Sequence, residues 1–403
     1  MKSDRENILL TGLTCLVILC LFAALRLGQA REGGEMETVV VGFIYEGDES
    51  TPYTANFKRA ADELRDKYGD QITILERFNV SESAPQEALT ELVEEGCGII
   101  FANSYGYGVY MKEMAAKYPK VQFCQATCSD ANVEPVLDNY HNFMGEICEG
   151  RYVEGLVAGR KLRELIDEGR ITEEEAWIGY VGAYPYAEVI SGYTAFFLGV
   201  REECPSARMR LRYTNTWTNY NLEKDAAEKL IEEGCVIISQ HSDTVGPAVA
   251  CEDARLSHPV YHVGYNQDMI SVAPTTSLTG CRINWSPYVS SAVEAMLRDV
   301  PIEKNVKGHK NGLDVGGGFD EGWVEMLELN HIIAPEGCEE LINEAVEAFM
   351  RGTVHIYQGE YTGTDPFDPS DTIDLRTEYK ENSTGSAPSF HYVLDDVIIV
   401  EED

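Results

Sequence analysis

Leu230–Asp243, LIEEGCVIISQHSD, is nearly written twice in this chain. Leu92–Ser104 reads LVEEGCGIIFANS, and eight of its thirteen positions match Leu230–Ser242 at an offset of 138 residues. Each copy closes a charged helical run, turns at a glycine (Gly96, Gly234) and enters a short apolar strand. Glycine at that point accepts a positive φ without a Cβ clash, so it is the expected helix stop. Each strand then opens into a polar loop, Asn103-Ser104-Tyr105 in one copy and His241-Ser242-Asp243 in the other. Ligands of parallel α/β sheets bind beyond the carboxyl ends of the strands. The repeat therefore predicts two α/β lobes that offer polar loops to one ligand. Unrelated α/β units also converge on helix–glycine–strand patterns, but the shared Cys and Glu-Glu exceed what that pattern requires.

Strands and helices alternate on both sides of the repeat, which predicts doubly wound parallel sheets. The first lobe is expected over 38–143, opening with the apolar run TVVVGFIY. The second is expected over 144–275, opening with a long helix from Gly145 to Glu168 whose Gly155, Ala158 and Gly159 permit close packing. Residues 276–403 then return through a hinge, complete both lobes and add a carboxyl-terminal extension rich in Gly, Pro and Asp.

The 403 residues carry a net charge of −36. Such acidity disfavours a nucleic acid polymer, whose binding draws on Lys and Arg at phosphates, and leaves a small neutral ligand compatible. Of eleven Cys, two lie in the leading segment. Cys97 and Cys235 head apolar strands, where thiols act as small hydrophobes. Cys124 and Cys128 lack the partners of a zinc pattern, so neither a metal nor another cofactor is expected. An odd number of remaining thiols sits uneasily with export to an oxidising compartment.

Residues Ile8 to Leu27 are almost wholly apolar behind Lys2 and Arg5. About 20 such residues suffice for a membrane-spanning helix or a signal sequence. With 1–37 as targeting segment and tether, the remainder is expected outside the cytoplasmic membrane and associated with it.

The segments VGFIYEGDESTPYT, EGRYVEGLVAGRKL, IGYVGAYPYAEVISGYTAFFLGV, YTNTWTN, IISQHSDT, HVGYNQDM and INWSPY, in that order, resemble the basic membrane protein family of solute receptors, the purine-nucleoside type serving ABC importers. The resemblance implies a type I periplasmic-binding fold: two Rossmann-like lobes, a hinge, and a central cleft. It also implies a purine nucleoside or nucleobase as ligand and an ABC permease as partner. Neither Cys15 nor Cys20 follows a residue suited to lipid attachment, and Pro52-Tyr53 stands where relatives carry other pairs. The tail beyond Arg351 is longer than the family requires.

On this resemblance Tyr53 and Trp217 stand where the family stacks aromatics on a base, one per lobe. Asn219 lies where relatives often have Asp, and Asp268 where an acid commonly holds ribose hydroxyls by charge-assisted bonds. Asn103, Ser104, His241, Ser242 and Asp243 come from the strand-end loops, and Glu188 from a helix start. Each also fits a cap or turn role. A hydrolase is disfavoured: His241, Ser242 and Asp243 are consecutive and point apart, unlike a triad. The run Gly316-Gly317-Gly318 lacks the strand–helix context of a phosphate loop. The reading is a non-enzymatic receptor for import. A membrane-anchored sensory receptor of the same fold, without transport, is the alternative.

Overall fold

The computed structural model describes residues 38–401. The apolar segment Ile8 to Leu27 lies outside them. Among the described residues no helix is long and apolar enough to cross a membrane.

The two halves build the same sheet. In the first, β1 (Val39–Ile44), β2 (Ile72–Arg77), β3 (Ile99–Ala102), β4 (Gln122–Ala126) and β5 (Tyr140–Gly145) lie parallel in the order β2-β1-β3-β4-β5. In the second, β6 (Trp177–Gly182), β7 (Arg208–Tyr213), β8 (Ile237–His241), β9 (Tyr261–Tyr265) and β10 (Ser277–Ile283) repeat it as β7-β6-β8-β9-β10. The repeated sequence is the third strand of each half: Ile99 pairs with Val41 of β1, and Ile237 with Ile178 of β6. Gly96 and Gly234 turn into them at φ 93° and 89°.

The repeated Cys has a packing reason. A Cβ on Gly42 of β1 would meet Cys97 Sγ at 3.0 Å, and one on Gly179 of β6 would meet Cys235 Cβ at 3.1 Å. A small buried Cys thus packs against each glycine, beside Ile100 and Leu92 in the first half and Ile238 and Leu230 in the second. All nine described cysteines are free and buried.

Further strands flank each sheet. β11 (His309–Asn311) and β12 (Asp314–Gly317) extend the first beyond β5, and β13 (Val324–Met326) borders the second beside β10. β14 (Thr362–Thr364), β15 (Thr372–Asp374) and β16 (Val393–Leu394) form a small third sheet. β17 (Ile398–Val400) joins the second sheet beside β7.

Read from the sequence, β5 is loop; the structure makes all six residues buried strand. Its polar residues disguise it, and they are held by internal hydrogen bonds, although Asn142 Nδ2 is left without a partner. His141 meets Glu303 and Gln122, while Asn142 Oδ1 accepts from the amides of Asp130 and Ala131. The glycine run also has a structural explanation. Gly316 and Gly317 belong to β12, and a Cβ on Gly317 would fall 2.7 Å from the buried ring of Trp323.

Within residues 38–356 the chain crosses between lobes three times, at 145–147, 283–286 and 317–324. These crossings lie side by side: Glu146 N donates to Gly317 O at 2.8 Å, and Asn284 N to Trp323 O at 2.7 Å. The helix Ile147–Asp167 leaves the first crossing and packs on the helix Ala187–Glu203. Contact is close enough that a Cβ on Gly155 would stand 2.0 Å from Phe196 O. The helix Ser286–Leu297 leaves the second crossing and packs on Pro52–Tyr68 of the first lobe.

Candidate ligand cleft between the lobes

In a sheet ordered 2-1-3-4-5, the crevice opens where strand order reverses, between the first and third strands. Both sheets aim that crevice at a common slot. From the first lobe come Glu46 after β1, Tyr53 in the first turn of Pro52–Tyr68, Asn103, Ser104 and Tyr105 after β3, and Thr127 after β4. From the second come Glu188 in the first turn of Ala187–Glu203, Trp217 after β7, His241 and Asp243 at the end of β8, and Tyr265 closing β9. The empty space of the slot, counted together with the solvent it opens onto, is about 400 Å³.

The loops after β3 and β8 are held by the same device. Ser104 Oγ and Gly106 N both donate to Glu82 Oε1, at 2.5 and 2.7 Å. Ser242 Oγ and Thr244 N both donate to Glu223 Oε2, at 2.8 and 3.0 Å. In each half a carboxylate brought from outside the repeat grips the serine hydroxyl and the amide two residues on. The backbone past β4 and β9 also matches: Thr127 and Asn266 take positive φ of 65° and 62°. That region is rare for a β-branched residue such as threonine.

Two polar groups are left without protein partners. Asn103 is fully buried; its Oδ1 accepts from Glu46 N at 3.0 Å, while its Nδ2 finds no partner. His241 is 2% exposed, and neither ring nitrogen is hydrogen-bonded. Glu188 Oε1 stands 3.6 Å from His241 Nε2, beyond a full hydrogen bond. Buried polar atoms of this kind usually have partners, so these donors and acceptors are available to a ligand.

Aromatic rings flank the slot from both sides. Tyr53 is edge-to-face with Trp285 at 6.2 Å, and its hydroxyl donates to Asn103 O. Trp217 meets Tyr184 at 5.2 Å and Tyr186 at 6.2 Å. Tyr105 faces Tyr186 across the lobes at 6.2 Å.

The lining carries three carboxyls, Glu46, Glu188 and Asp243, and no Lys or Arg. Burial, reinforced by Glu223, Glu46 and Glu188, holds the Asp243 carboxyl well above the usual carboxylate range. Burial and Glu82 also raise Glu46. Burial keeps His241 below its ordinary value and hence neutral near pH 7. Such a slot suits an uncharged ligand rich in hydrogen-bond donors, and repels phosphate.

Arg151 is buried below this floor. Its guanidinium donates to Glu154 at 2.5 Å, Ser239 Oγ at 3.0 Å and Gln240 O at 3.1 Å, and lies 5.2 Å from the Tyr265 ring. One side chain thereby ties the helix Ile147–Asp167 to the ends of β8 and β9.

Of the residues singled out from the sequence, Tyr53, Asn103, Ser104, Glu188, Trp217, His241 and Asp243 meet in the slot. Asn219 does not: it is the N-cap of Tyr220–Glu232, its Oδ1 accepting from Leu222 N at 3.1 Å. Asp268 is also outside, its Oδ1 accepting from Ile270 N at 2.8 Å in a local turn. Ser242 lies beneath the lining, its hydroxyl spent on Glu223. Glu46, Tyr105, Thr127 and Tyr265 went unrecognised. Glu46, Thr127 and Tyr265 lie at or within two residues of a strand's carboxyl end, so inspecting every strand end would have found them.

Among the described residues one group, Asp365, Asp371 and His391, brings three potential metal-donor atoms within 4.8 Å of one another. It is partly exposed and belongs to the carboxyl-terminal extension, outside the slot.

The chain is 29% identical over 325 residues to a purine-binding protein of Brucella abortus (strain 2308), covering 80% of this chain and 84% of that one. It is 27% identical over 274 residues to a putative ABC transporter glucose-binding protein of Haloferax volcanii, covering 66% and 64%. The fold matches a solved solute-binding protein of an ABC transporter system from Aeropyrum pernix K1 with a TM-score of 0.62 at 14% identity, covering 82% of this chain and 95% of that one. Residues 38–356 match the model of the PnrA-like ABC transporter substrate-binding proteins, and the chain belongs to that family.

Proposed function

We propose that this receptor captures a purine nucleoside or nucleobase outside the cytoplasmic membrane and delivers it to an ABC permease. The observation carrying this reading is that Tyr53 and Trp217, one from each lobe, line one slot together with carboxyls and no basic side chain. A purine offers two flat faces to such rings, and aromatic stacking on a base contributes roughly 1–3 kcal/mol. Its edge offers acceptors to Asn103 Nδ2 and donors to Glu46, Glu188 or His241. The name of the Brucella relative supports the same ligand class.

Binding is coupled to closure, because each lobe presents only half of the contacts. The ligand then shifts an open–closed equilibrium by its greater affinity for the closed form. The three side-by-side crossings are the segments that absorb this motion. No reacting group is needed for that cycle, in keeping with a family of solute-binding proteins.

Calorimetric titration with adenosine, guanosine, adenine and glucose tests the reading. Micromolar or tighter binding of a purine is expected. Binding of glucose with no response to any purine would overturn it.

A further inference from the structure

The family match ends at residue 356, yet the chain continues as ordered structure to residue 401. This extension is rooted in the second lobe. Tyr357, Leu375, Phe390, Leu394 and Ile398 enter its core, and Ile398–Val400 adds a parallel strand to its sheet. The Tyr357 hydroxyl also donates to Ser191 O at 3.1 Å.

Midway, the extension reaches across to the first lobe, where its hydrogen bonds are few. Ser386 N donates to Asp314 Oδ2 at 3.0 Å, Ala387 N to Ser129 Oγ at 2.9 Å, and Asn311 Nδ2 to Thr384 O. The approach is tight, since a Cβ on Gly385 would stand 2.6 Å from Ser129 Oγ. Apolar burial on one lobe against a short polar contact on the other fits a segment that travels with the second lobe and releases the first. Asp314 Oδ1, buried and without a partner while docked, can be hydrated on release.

The same extension walls the mouth of the cleft. Asp365, Phe367, Ala387, Pro388 and His391 line an outer chamber of about 610 Å³. That chamber shares Tyr105, Thr127, Glu188 and Trp217 with the inner slot, so the two are continuous. Phe367 is 72% exposed there, an aromatic facing the passage without packing partners to cover it.

We propose that residues 357–401 form a strap across the cleft mouth. Docked on Ser129 and Asp314, it favours the closed lobes and walls the outer chamber. Undocked, it lets the lobes part and the ligand leave. The strap's geometry stands independently of the ligand's identity, whereas its effect on exchange is probed with adenosine and so rests on the proposed function.

Two measurements test it. Ser129→Cys combined with Ala387→Cys places two thiols at the docking contact, and the native described cysteines are buried. Oxidised, this variant should release adenosine at least tenfold more slowly than when reduced; equal rates would overturn the strap. In parallel, paired fluorophores on the two lobes report cleft opening without ligand. Ser129→Ala combined with Asp314→Ala, verified as folded by circular dichroism, should shift the ligand-free protein toward larger separations; an unchanged distribution would overturn the strap. Should the wild-type protein bind no purine, the proposed function fails and the ligand-free measurement alone decides the strap.

Discussion

Asn103 and His241 occupy the same position in the two halves of the protein. They lie 138 residues apart, close equivalent strands, line the inter-lobe slot, and each carries a buried nitrogen without a partner. The serines that follow them are gripped in the same way, by Glu82 and Glu223. The support of the two loops is therefore duplicated while the groups offered to the ligand differ. On the proposed function, an amide on one side and a neutral imidazole on the other would let one asymmetric ligand be read by two related lobes.

Trp217→Ala should weaken adenosine binding about 5- to 150-fold, the loss of roughly 1–3 kcal/mol of stacking. Titration calorimetry on the folded variant measures it. Unchanged affinity would mean that Trp217 serves only its packing against Tyr184 and Tyr186.

Asn219→Ala should lower stability by about 1 kcal/mol as the loss of a helix cap, with affinity changed less than twofold. Asp268→Ala should likewise affect adenosine and adenine equally, since its carboxylate belongs to a local turn. A selective loss for adenosine in either variant would return that residue to the binding site.

Glu223→Ala removes the acceptor of Ser242 Oγ, Thr244 N and Thr244 Oγ1. Each buried donor left unpaired costs about 1–3 kcal/mol, so a total loss on the order of 3 kcal/mol is expected by urea denaturation. Affinity should fall as well, because Asp243 sits on the loop that loses its anchor. A variant with wild-type stability and affinity would show that the carboxylate is replaceable by water.

Adenosine monophosphate should bind at least a hundredfold more weakly than adenosine. Glu46 and Glu188 face the slot with no Lys or Arg among its lining, and like charge in a partly desolvated site is costly. Comparable affinities would show that the phosphate escapes to the outer chamber.

Glu149 accepts a hydrogen bond from Phe319 N at 2.7 Å beside the crossing segments. Burial, opposed by that bond and aided by Glu146 and Asp320, pushes its carboxyl up to about 8. The folded state then holds its proton more tightly than the unfolded chain, so stability declines as pH rises from about 4.5 through 8. Glu149→Gln keeps an acceptor and removes the titration. It should recover on the order of 2 kcal/mol at pH 8.5 relative to wild type, with little difference at pH 5. Parallel stability curves would show an ionised carboxylate throughout.

The strand–helix alternation, the glycine stops and the duplication were legible because each is a local pattern, set by backbone sterics and by burial on both faces of a strand. The third strand of each half and its trailing polar loop followed from thirteen residues alone. β5 was hidden, since its His141 and Asn142 find their hydrogen bonds on other segments, and a polar strand then resembles a loop. The roles of Gly316 and Gly317 were equally hidden, because Glu146 and Trp323 crowd them only once the crossings are folded side by side.

Among the candidate residues, sequence could nominate polar side chains at strand ends but not say which were already spent. Asn219, Asp268 and Ser242 are spent on nearby backbone or a carboxylate, whereas Asn103 Nδ2 and the ring nitrogens of His241 have no partner. That distinction rests on the position of every neighbouring donor and acceptor, which no periodicity encodes. Thus two matching α/β halves, with polar loops at their strand ends, were determined by the sequence itself through local sterics and hydrophobic pattern. Which atoms remain free for a ligand, and the passage of residues 357–401 across the cleft, were decided only by the tertiary structure, because both depend on contacts between segments far apart in the chain.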